Sequence, residues 1–327
     1  MDRLARGYAW LRQPLSMSGF RRLTAVAVFL LGLIVVTGAL VRLTGSGLGC
    51  PTWPQCGNGS LVTRPEYAGH GWIEFGNRLV SSAVSVVVAV VAIASFRLAE
   101  RRRDLQWLSL GLVGGIIGQI VLGGFTVLYH LNPGLVASHF LLSMLLLVDA
   151  VVLHHRTSVR GPGAPQPLRW LGWGLTAVAA LELIVGTVVT GSGPHSGDST
   201  HVTRFAINTR EVAQLHADIA MLLVGLVIAT TVAVRAVPTS PVVRRESLAV
   251  VVLVVAQATV GFVQYALGIP EGLVAVHVAG ATALWVYTLR LALALQSEPV
   301  AVTSAVPEQI VLPDREAVPT TAGSSGG

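Results

Sequence analysis

The chain has 327 residues, of which 53% are hydrophobic and only 12% are charged, about half the charged fraction of an ordinary soluble domain. This composition excludes a water-covered globular domain, because so few polar residues cannot enclose so much apolar volume, and it favours a protein dissolved in a bilayer. The net charge of +6 comes from arginine alone, since the chain contains no lysine. The arginines lie in short loops between apolar segments, so they predict membrane orientation and not nucleic-acid binding.

Eight apolar segments follow one another, and each is long enough to cross a hydrocarbon core of about 30 Å as an α-helix. We predict spans at about 22–42, 72–96, 106–128, 134–154, 170–191, 210–234, 248–268 and 272–295. The first segment is too long for a signal peptide and lacks a small-residue cleavage site, so we expect it to be a retained span. The predicted fold class is an all-α polytopic membrane protein with eight transmembrane helices.

Arginine is concentrated on one side of this arrangement. Clusters precede the first span and follow the second, fourth and sixth, and Arg290 lies near the end of the eighth. The opposite side has chiefly Arg42, Arg64, Arg204 and Arg210. Because cytoplasmic loops carry an excess of arginine, we predict a multi-pass protein of the cell membrane with both termini in the cytoplasm.

The second half of the chain repeats the first. Gly-Leu-Val-Ala-Ser-His at 134–139 resembles Gly-Leu-Val-Ala-Val-His at 272–277, and Thr-Gly-Ser-Gly occurs at both 44–47 and 190–193. The pairs related by an offset of 138 are His139 with His277, Gln119 with Gln257 and Gly123 with Gly261. Since four spans per repeat is an even number, the halves are predicted to insert in the same orientation as two pseudo-symmetric four-helix bundles.

These boundaries divide the chain into five parts. We predict a cytoplasmic N-terminus at 1–21, a first four-helix half at 22–155, a cytoplasmic linker at 156–169, a second four-helix half at 170–295 and a disordered cytoplasmic tail at 296–327. The tail is rich in Pro, Ser, Gly and Thr, which is typical of disorder.

Three histidines lie at one depth in this arrangement. His139, His216 and His277 are each about five residues inside the outer ends of their spans, roughly 8 Å along a helix. A lone intramembrane histidine is most simply a hydrogen-bonded structural residue. Three at a common depth favour haem ligation instead, since a haem between helices takes imidazoles from opposite sides at one level. His216 and His277 would form such a pair.

The first half breaks this symmetry, because the position that matches His216 is Asn77. His139 would then be the one histidine ligand at this depth in that half. The sixth position of an iron there could be open, weakly occupied, or reached by His70 or His130 from the outer loops. An open position suits oxygen chemistry and two strong ligands suit electron transfer, so the asymmetry predicts a cofactor in one half and a reacting substrate in the other.

Two glutamates lie within predicted spans. Glu74 is one helical turn from Asn77, and an intramembrane carboxyl is a candidate proton donor or acceptor. The alternative interpretation of Glu74 is an ion pair with Arg78 or Arg42. For Glu182, in the fifth span, we expect a packed or glutamine-paired polar residue.

Cys50 and Cys56 flank Pro-Thr-Trp-Pro-Gln in the first outer loop. The outer compartment permits oxidation, and a loop of this length can close a disulfide. A static staple on the loop and a redox role are both open.

Two motifs resemble those of haem A synthases. The segment 36–56, ending in Gly-Cys-Pro-Thr-Trp-Pro-Gln-Cys, resembles that family's first-loop signature. The segment 72–81, Trp-Ile-Glu-Phe-Gly-Asn-Arg-Leu-Val-Ser, is similar to its second-span motif, and His139, His216 and His277 fall where the family has haem histidines. The resemblance covers about residues 20–295.

The resemblance implies an enzyme that oxidises the C8 methyl of haem O to the formyl group of haem A, a cofactor of terminal oxidases. It implies haem b on His216 and His277, the substrate haem in the first half near His139 and Asn77, and a required Glu74. It also implies a Cys50–Cys56 disulfide, supply of haem O by a haem O synthase, an electron donor and a role in terminal oxidase assembly. Many members have histidine where this chain has Asn77.

Two alternatives compete with this enzyme. A bis-haem electron-transfer cytochrome b would bind haem without altering it, and a transporter would bind no stoichiometric haem. The three histidines at one depth and the first-loop motif disfavour the transporter, and the missing fourth histidine disfavours the cytochrome.

Overall fold

A computed structural model of the protein describes residues 14–57, 59–63, 68–158, 161–195, 197–198 and 202–297. Eight α-helices run through these ranges, and each is long and apolar enough to cross a membrane. They are α1 (Met17–Leu43), α2 (Ala68–Ser95), α3 (Arg103–Leu128), α4 (Pro133–Arg156), α5 (Gln166–Ser192), α6 (Thr209–Ala236), α7 (Pro241–Ala266) and α8 (Glu271–Gln296). The all-α, eight-span prediction is confirmed, and the chain is a multi-pass membrane protein.

The helices begin earlier than the apolar segments alone suggested. α7 begins at Pro241 and not near 248, because Ser240 accepts a hydrogen bond from the amide of Val243 and Pro241 suits the first helical turn. α1 begins at Met17, with Ser16 bonded to the amide of Gly19. Polar residues thus continue these helices beyond the hydrocarbon. The predicted tail lies outside the described residues beyond Ser297.

The helices pack as two rings of four. In the first ring α1 contacts α2, α2 contacts α3, α3 contacts α4 and α4 contacts α1, and α5 to α8 form the same cycle. The rings meet where α1 contacts α8, α4 contacts α8 and α4 contacts α5. Exchanging each helix with the one four places along leaves this set of neighbours unchanged.

α8 is the central helix of the molecule. Half of its apolar stretch is buried inside the protein, against 22–33% for the other seven helices. Trp285 of α8 is buried and donates its indole N–H to the carbonyl of Met144 in α4 at 3.1 Å. This helix therefore connects the two rings while it also carries His277.

We call the end of the bundle that carries His139, His216, His277 and the Cys50–Cys56 loop the histidine end, and the opposite end the arginine end. At the arginine end Glu246 of α7 is buried and accepts a hydrogen bond from Arg290 of α8 at 2.6 Å. Arg245 also reaches Glu246, at 3.3 Å. The ion pair joins the start of α7 to the end of α8.

Replacing Arg290 with methionine is expected to destabilise the protein, because a buried carboxylate then loses its closest partner. The side chain of Glu246 is only 3% exposed and that of Arg290 is 40% exposed, so water screens part of the attraction and the loss should be about 2 kcal/mol. Thermal unfolding in detergent measures it. Arg244→Met is the matched control, since Arg244 is an exposed arginine in the turn of α7 that also contains Glu246. The double variant Glu246→Leu with Arg290→Met should recover most of the loss. Equal melting temperatures of Arg290→Met and Arg244→Met would show that the ion pair with Glu246 does not stabilise the protein.

Candidate haem site at the histidine end

The three candidate histidines occupy equivalent places in α4, α6 and α8. His139 is six residues after Pro133, His216 is seven after Thr209 and His277 is six after Glu271, where the respective helices begin. At about 1.5 Å per residue, each imidazole lies one to two turns inside the histidine end. The common depth predicted from the sequence is thus present in the structure.

His216 and His277 face each other across the second ring. Their ring centroids are 6.3 Å apart and their planes are inclined by 65°. The two histidines come from α6 and α8, which do not pack directly against each other; each of these helices contacts α5 and α7 instead. The side chains therefore meet in the space between opposite helices of the ring.

This pair fits a haem iron. Two imidazoles on opposite sides of one iron place their ring centres about 6 Å apart, since each metal–nitrogen bond is about 2 Å long. The Nδ1 atoms of His216 and His277 are buried and make no hydrogen bond within the described residues. Although no group of three or more His, Cys, Asp or Glu side chains converges in the described part of the chain, a haem iron takes only two protein ligands.

A glycine of the neighbouring helix lies against each imidazole. A methyl group on Gly186 of α5 would lie 3.2 Å from Cε1 of His216, and one on Gly261 of α7 would lie 3.5 Å from Cε1 of His277. Gly123 of α3 stands in the same relation to His139, at 3.2 Å. Two of these glycines carry the internal repeat, but their contact with histidine could not be read from the sequence.

A second contact repeats in both halves. The side-chain amide of Gln119 donates to the backbone carbonyl of His139 at 3.1 Å, and that of Gln257 donates to the carbonyl of His277 at 3.0 Å. Both glutamines therefore stabilise the helical turn that carries a histidine, and the sequence matches at offset 138 correspond to matching contacts.

Glu182 is packed, as expected from the sequence, and the group beside it is His216 and not a glutamine. Oε1 of Glu182 is 3.2 Å from Nδ1 of His216. Glu182 and Gly186 are one turn apart on the same face of α5, so both residues lie against the imidazole of His216. No sequence motif indicated this contact, because α5 and α6 are separated by a loop whose path decides which faces meet.

The first ring offers a different set of groups. His139 has Gly123 and Gln119 beside it, and its Nδ1 makes no hydrogen bond within the described residues. The amide oxygen of Asn77 is also buried without a hydrogen-bond partner there. The imidazole of His70 contacts the hydroxyl of Ser46 at 3.0 Å, and His130 lies in the turn after α3 with a φ of 49°. The first ring thus has one imidazole where the second ring has two.

Glu74 is paired with Arg78, which decides between the two arginines considered for it. Its Oε1 accepts hydrogen bonds from Nη2 and Nε of Arg78 at 2.6 and 3.2 Å. Its Oε2 accepts the backbone N–H of Cys50 at 2.6 Å, and the residue is only 6% exposed. Arg42 instead donates to the carbonyls of His195 and Thr190. Glu74 therefore connects α2 to the cysteine loop.

The disulfide between Cys50 and Cys56 is present, as the resemblance implied. Arg78 organises the loop that the disulfide closes, because its guanidinium also donates to four carbonyls of the loop. These belong to Cys50, Thr52, Pro54 and Gln55, at 3.1 to 3.4 Å. From the sequence Arg78 was expected only as a possible partner of Glu74, and no sequence signal indicated its contacts with the loop.

The loop also contacts the first ring through Trp53. Its indole lies so close to Gly124 of α3 that a methyl group there would be 2.8 Å from Cδ2 of the ring. Gly123, the preceding residue, lies against His139. The cysteine loop is therefore seated on the same turn of α3 that supports the first-ring histidine.

The chain matches one family model and is similar to several named proteins. The family model COX15-CtaA, described as cytochrome oxidase assembly protein, matches residues 21–289. Over 165 residues the chain is 31% identical to a protein named heme A synthase from Lysinibacillus sphaericus (strain C3-41), covering 48% of this chain and 53% of that protein. Over 132 residues it is 33% identical to a heme A synthase from Alkalihalophilus pseudofirmus, covering 40% of this chain and 43% of that protein. The chain spans about half the length of these relatives. Because the family model extends over all eight helices, this chain belongs to the COX15-CtaA family of cytochrome oxidase assembly proteins.

Proposed function

We propose that the protein is a haem A synthase that oxidises the C8 methyl of haem O to the formyl group of haem A. The observation that carries this proposal is the pair of imidazoles of His216 and His277, 6.3 Å apart in the second ring, together with Asn77 at the first-ring position that matches His216. The second ring then has the ligands of an electron-transfer haem, and the first ring has His139 without an equivalent partner. The names of the relatives, heme A synthase, support the same reaction.

The two halves divide the work in this proposal. The half at 22–155 takes the substrate haem and the half at 170–295 holds haem b, with 156–169 as the linker between them. The two helix rings and their contacts through α4 and α8 support the division. The arginine end, with both chain termini, faces the cytoplasm, because short arginine-rich loops remain on that side.

His216 and His277 would hold haem b. When bound, this haem supplies one-electron transfer, which two strong nitrogen ligands suit. The protein's part is to present both imidazoles at one level and to exclude water, since the ligands lie inside the bundle. Gly186 and Gly261 leave room for the imidazoles of His216 and His277 to face each other inside the bundle.

The first ring would receive haem O near His139 and Asn77. Haem O carries a farnesyl chain, so it can reach this site laterally from the bilayer. His139 is the axial ligand in this proposal, and Asn77 leaves the opposite side without a second histidine. Glu74 holds or accepts a proton near the site, as an intramembrane carboxyl with an arginine partner can. A haem O synthase supplies the substrate, an electron donor reduces the protein, and the product serves terminal oxidase assembly.

A bis-haem cytochrome b remains the alternative. Two favourably placed imidazoles suit electron transfer as well as catalysis. The two functions differ in one observable, because a cytochrome leaves every bound haem chemically unchanged.

Glu74→Gln should abolish haem A formation while it leaves the loop intact. Glutamine keeps one acceptor oxygen, for the amide of Cys50, but it loses the acceptor that faces Arg78 and cannot take up or release a proton. We expect a fall of about 100-fold or more, within the range of general acid–base catalysis. The test is chromatography of haems extracted from membranes that express the protein and supply haem O. Glu211→Gln is the matched control, since Glu211 is exposed at the start of α6.

Loop integrity is measured in the same preparations as the rate at which a mild reductant opens the Cys50–Cys56 disulfide. An unchanged rate with lost product supports the chemical role of Glu74, whereas lost product with a faster rate supports a structural one. A chain that leaves haem O unaltered but retains haem b is a cytochrome. Normal product in the absence of oxygen would show that O2 is not the oxidant, and normal product after His139→Ala would show that His139 does not hold the substrate haem.

His216→Ala and His277→Ala should each remove the resident haem. Each substitution leaves one imidazole where two are needed, so we expect at least a tenfold lower ratio of haem to protein. The variants are purified from cells that make haem b but no haem O, so the ratio reports the resident site alone. His154→Ala is the control, because His154 lies at the arginine end and contacts the hydroxyl of Thr24. Full haem content in both variants would show that the pair does not hold the haem.

A further inference from the structure

Glu182 is a carboxyl inside the second ring that the proposed function does not use. Its Oε1 lies 3.2 Å from Nδ1 of His216, and its side chain is only 16% exposed. This contact is not a hydrogen bond as the side chains stand, because Nδ1 of His216 makes no hydrogen bond within the described residues. The distance is at the upper end of the range for N–H···O hydrogen bonds, so a small rotation of the imidazole would complete one.

Among the three histidines at this depth, His216 is the one with a carboxyl at its Nδ1 in the described residues. The Nδ1 atoms of all three are buried and make no hydrogen bond there, but only Nδ1 of His216 has a carboxylate oxygen within 3.2 Å among the described residues. The helices of His139 and His277 instead receive a glutamine on the backbone carbonyl. If every buried imidazole in this protein needed a carboxyl partner, all three histidines would have one. The carboxyl of Glu182 therefore has a role that is specific to His216.

The internal repeat supports the same conclusion. When Thr-Gly-Ser-Gly at 44–47 is aligned with 190–193, Val36 matches Glu182 and Leu40 matches Gly186. The first half also has Asn77 in place of His216. The carboxyl, the glycine that makes room for the ring and the histidine are therefore present together in one half and absent together in the other. Three residues on two helices that change as a set indicate one shared task.

We propose that Glu182 is a positioning residue for the haem ligand His216. Its carboxylate accepts the Nδ1–H, which leaves Nε2 unprotonated and directed at the iron, and Gly186 admits the ring in that orientation. A carboxylate on the distal nitrogen makes the imidazole a stronger donor. A stronger donor favours the oxidised iron and lowers its midpoint potential. This inference rests on the proposed haem b site, but not on haem A formation.

The test is a redox titration of the haem in the purified full-length protein, with the electron paramagnetic resonance spectrum of the oxidised state as a second readout. Glu182→Val introduces the residue found at Val36, and we expect a higher midpoint potential, altered low-spin g-values and about tenfold weaker haem retention. Glu182→Gln keeps an acceptor oxygen without the charge and should give a smaller shift in the same direction. Asp149→Asn is the matched control, since Asp149 is also an intramembrane carboxyl but lies ten residues beyond His139 in α4, about 15 Å along the helix.

The graded order of wild type, Glu182→Gln and Glu182→Val, with Asp149→Asn at the wild-type potential, supports the proposal. If Glu182→Val loses its haem, the potential and spectrum of Glu182→Gln decide. Wild-type potential and spectrum in a haem-loaded Glu182 variant would overturn it, as would an equal shift in Asp149→Asn. Absence of haem from the wild-type protein would instead overturn the haem b site itself, which distinguishes the two failures.

Discussion

An imidazole inside a bilayer is costly unless another group satisfies it, and the facing pair of His216 and His277 is the arrangement on which this structure depends. The two imidazoles meet in the space between α6 and α8, which do not pack against each other. The neighbouring helices α5 and α7 leave room for the two imidazoles, because each helix carries a glycine beside one of them. A haem could bind in such a ring of four helices, with its edges against the helices and its iron between the two imidazoles.

The first ring shares the scaffold of the second but not its chemistry. Gln119 and Gly123 support His139 as Gln257 and Gly261 support His277. On the other side of the ring Asn77 replaces an imidazole. Bundles related by an internal repeat can diverge in this way, since helix packing depends on the shape of the contact faces whereas ligation depends on a single side chain. In the proposed function, the two rings share their packing and differ in one ligand position.

At the histidine end the loop that contains Cys50 and Cys56 lies against the first ring, and two charged residues of α2 hold it there. Glu74 bonds to the amide of Cys50 and to Arg78, and Arg78 in turn reaches four loop carbonyls. A guanidinium suits this task because its five donors spread over several acceptors at once. The Cys50–Cys56 disulfide and the indole of Trp53 on Gly124 hold the same loop from two further directions. The candidate proton-handling carboxyl thus bonds to the loop that lies against the first ring.

Hydropathy by itself determined the eight spans, their order and the common depth of the three histidines, because a helix that crosses hydrocarbon needs about 20 apolar residues whatever surrounds it. The family motifs implied the disulfide between Cys50 and Cys56, which the structure contains. The tertiary structure alone decided that Glu74 pairs with Arg78 and not Arg42, and that Glu182 meets His216. The contact of Glu182 with His216 depends on helix rotation and loop path, which bring together residues that are far apart in sequence. Glu74 and Arg78 are one turn apart in α2, and the fold excludes Arg42 because it directs that side chain to the carbonyls of His195 and Thr190. Apolar content is a property of each segment, whereas the partner of a polar group is a property of the faces that meet.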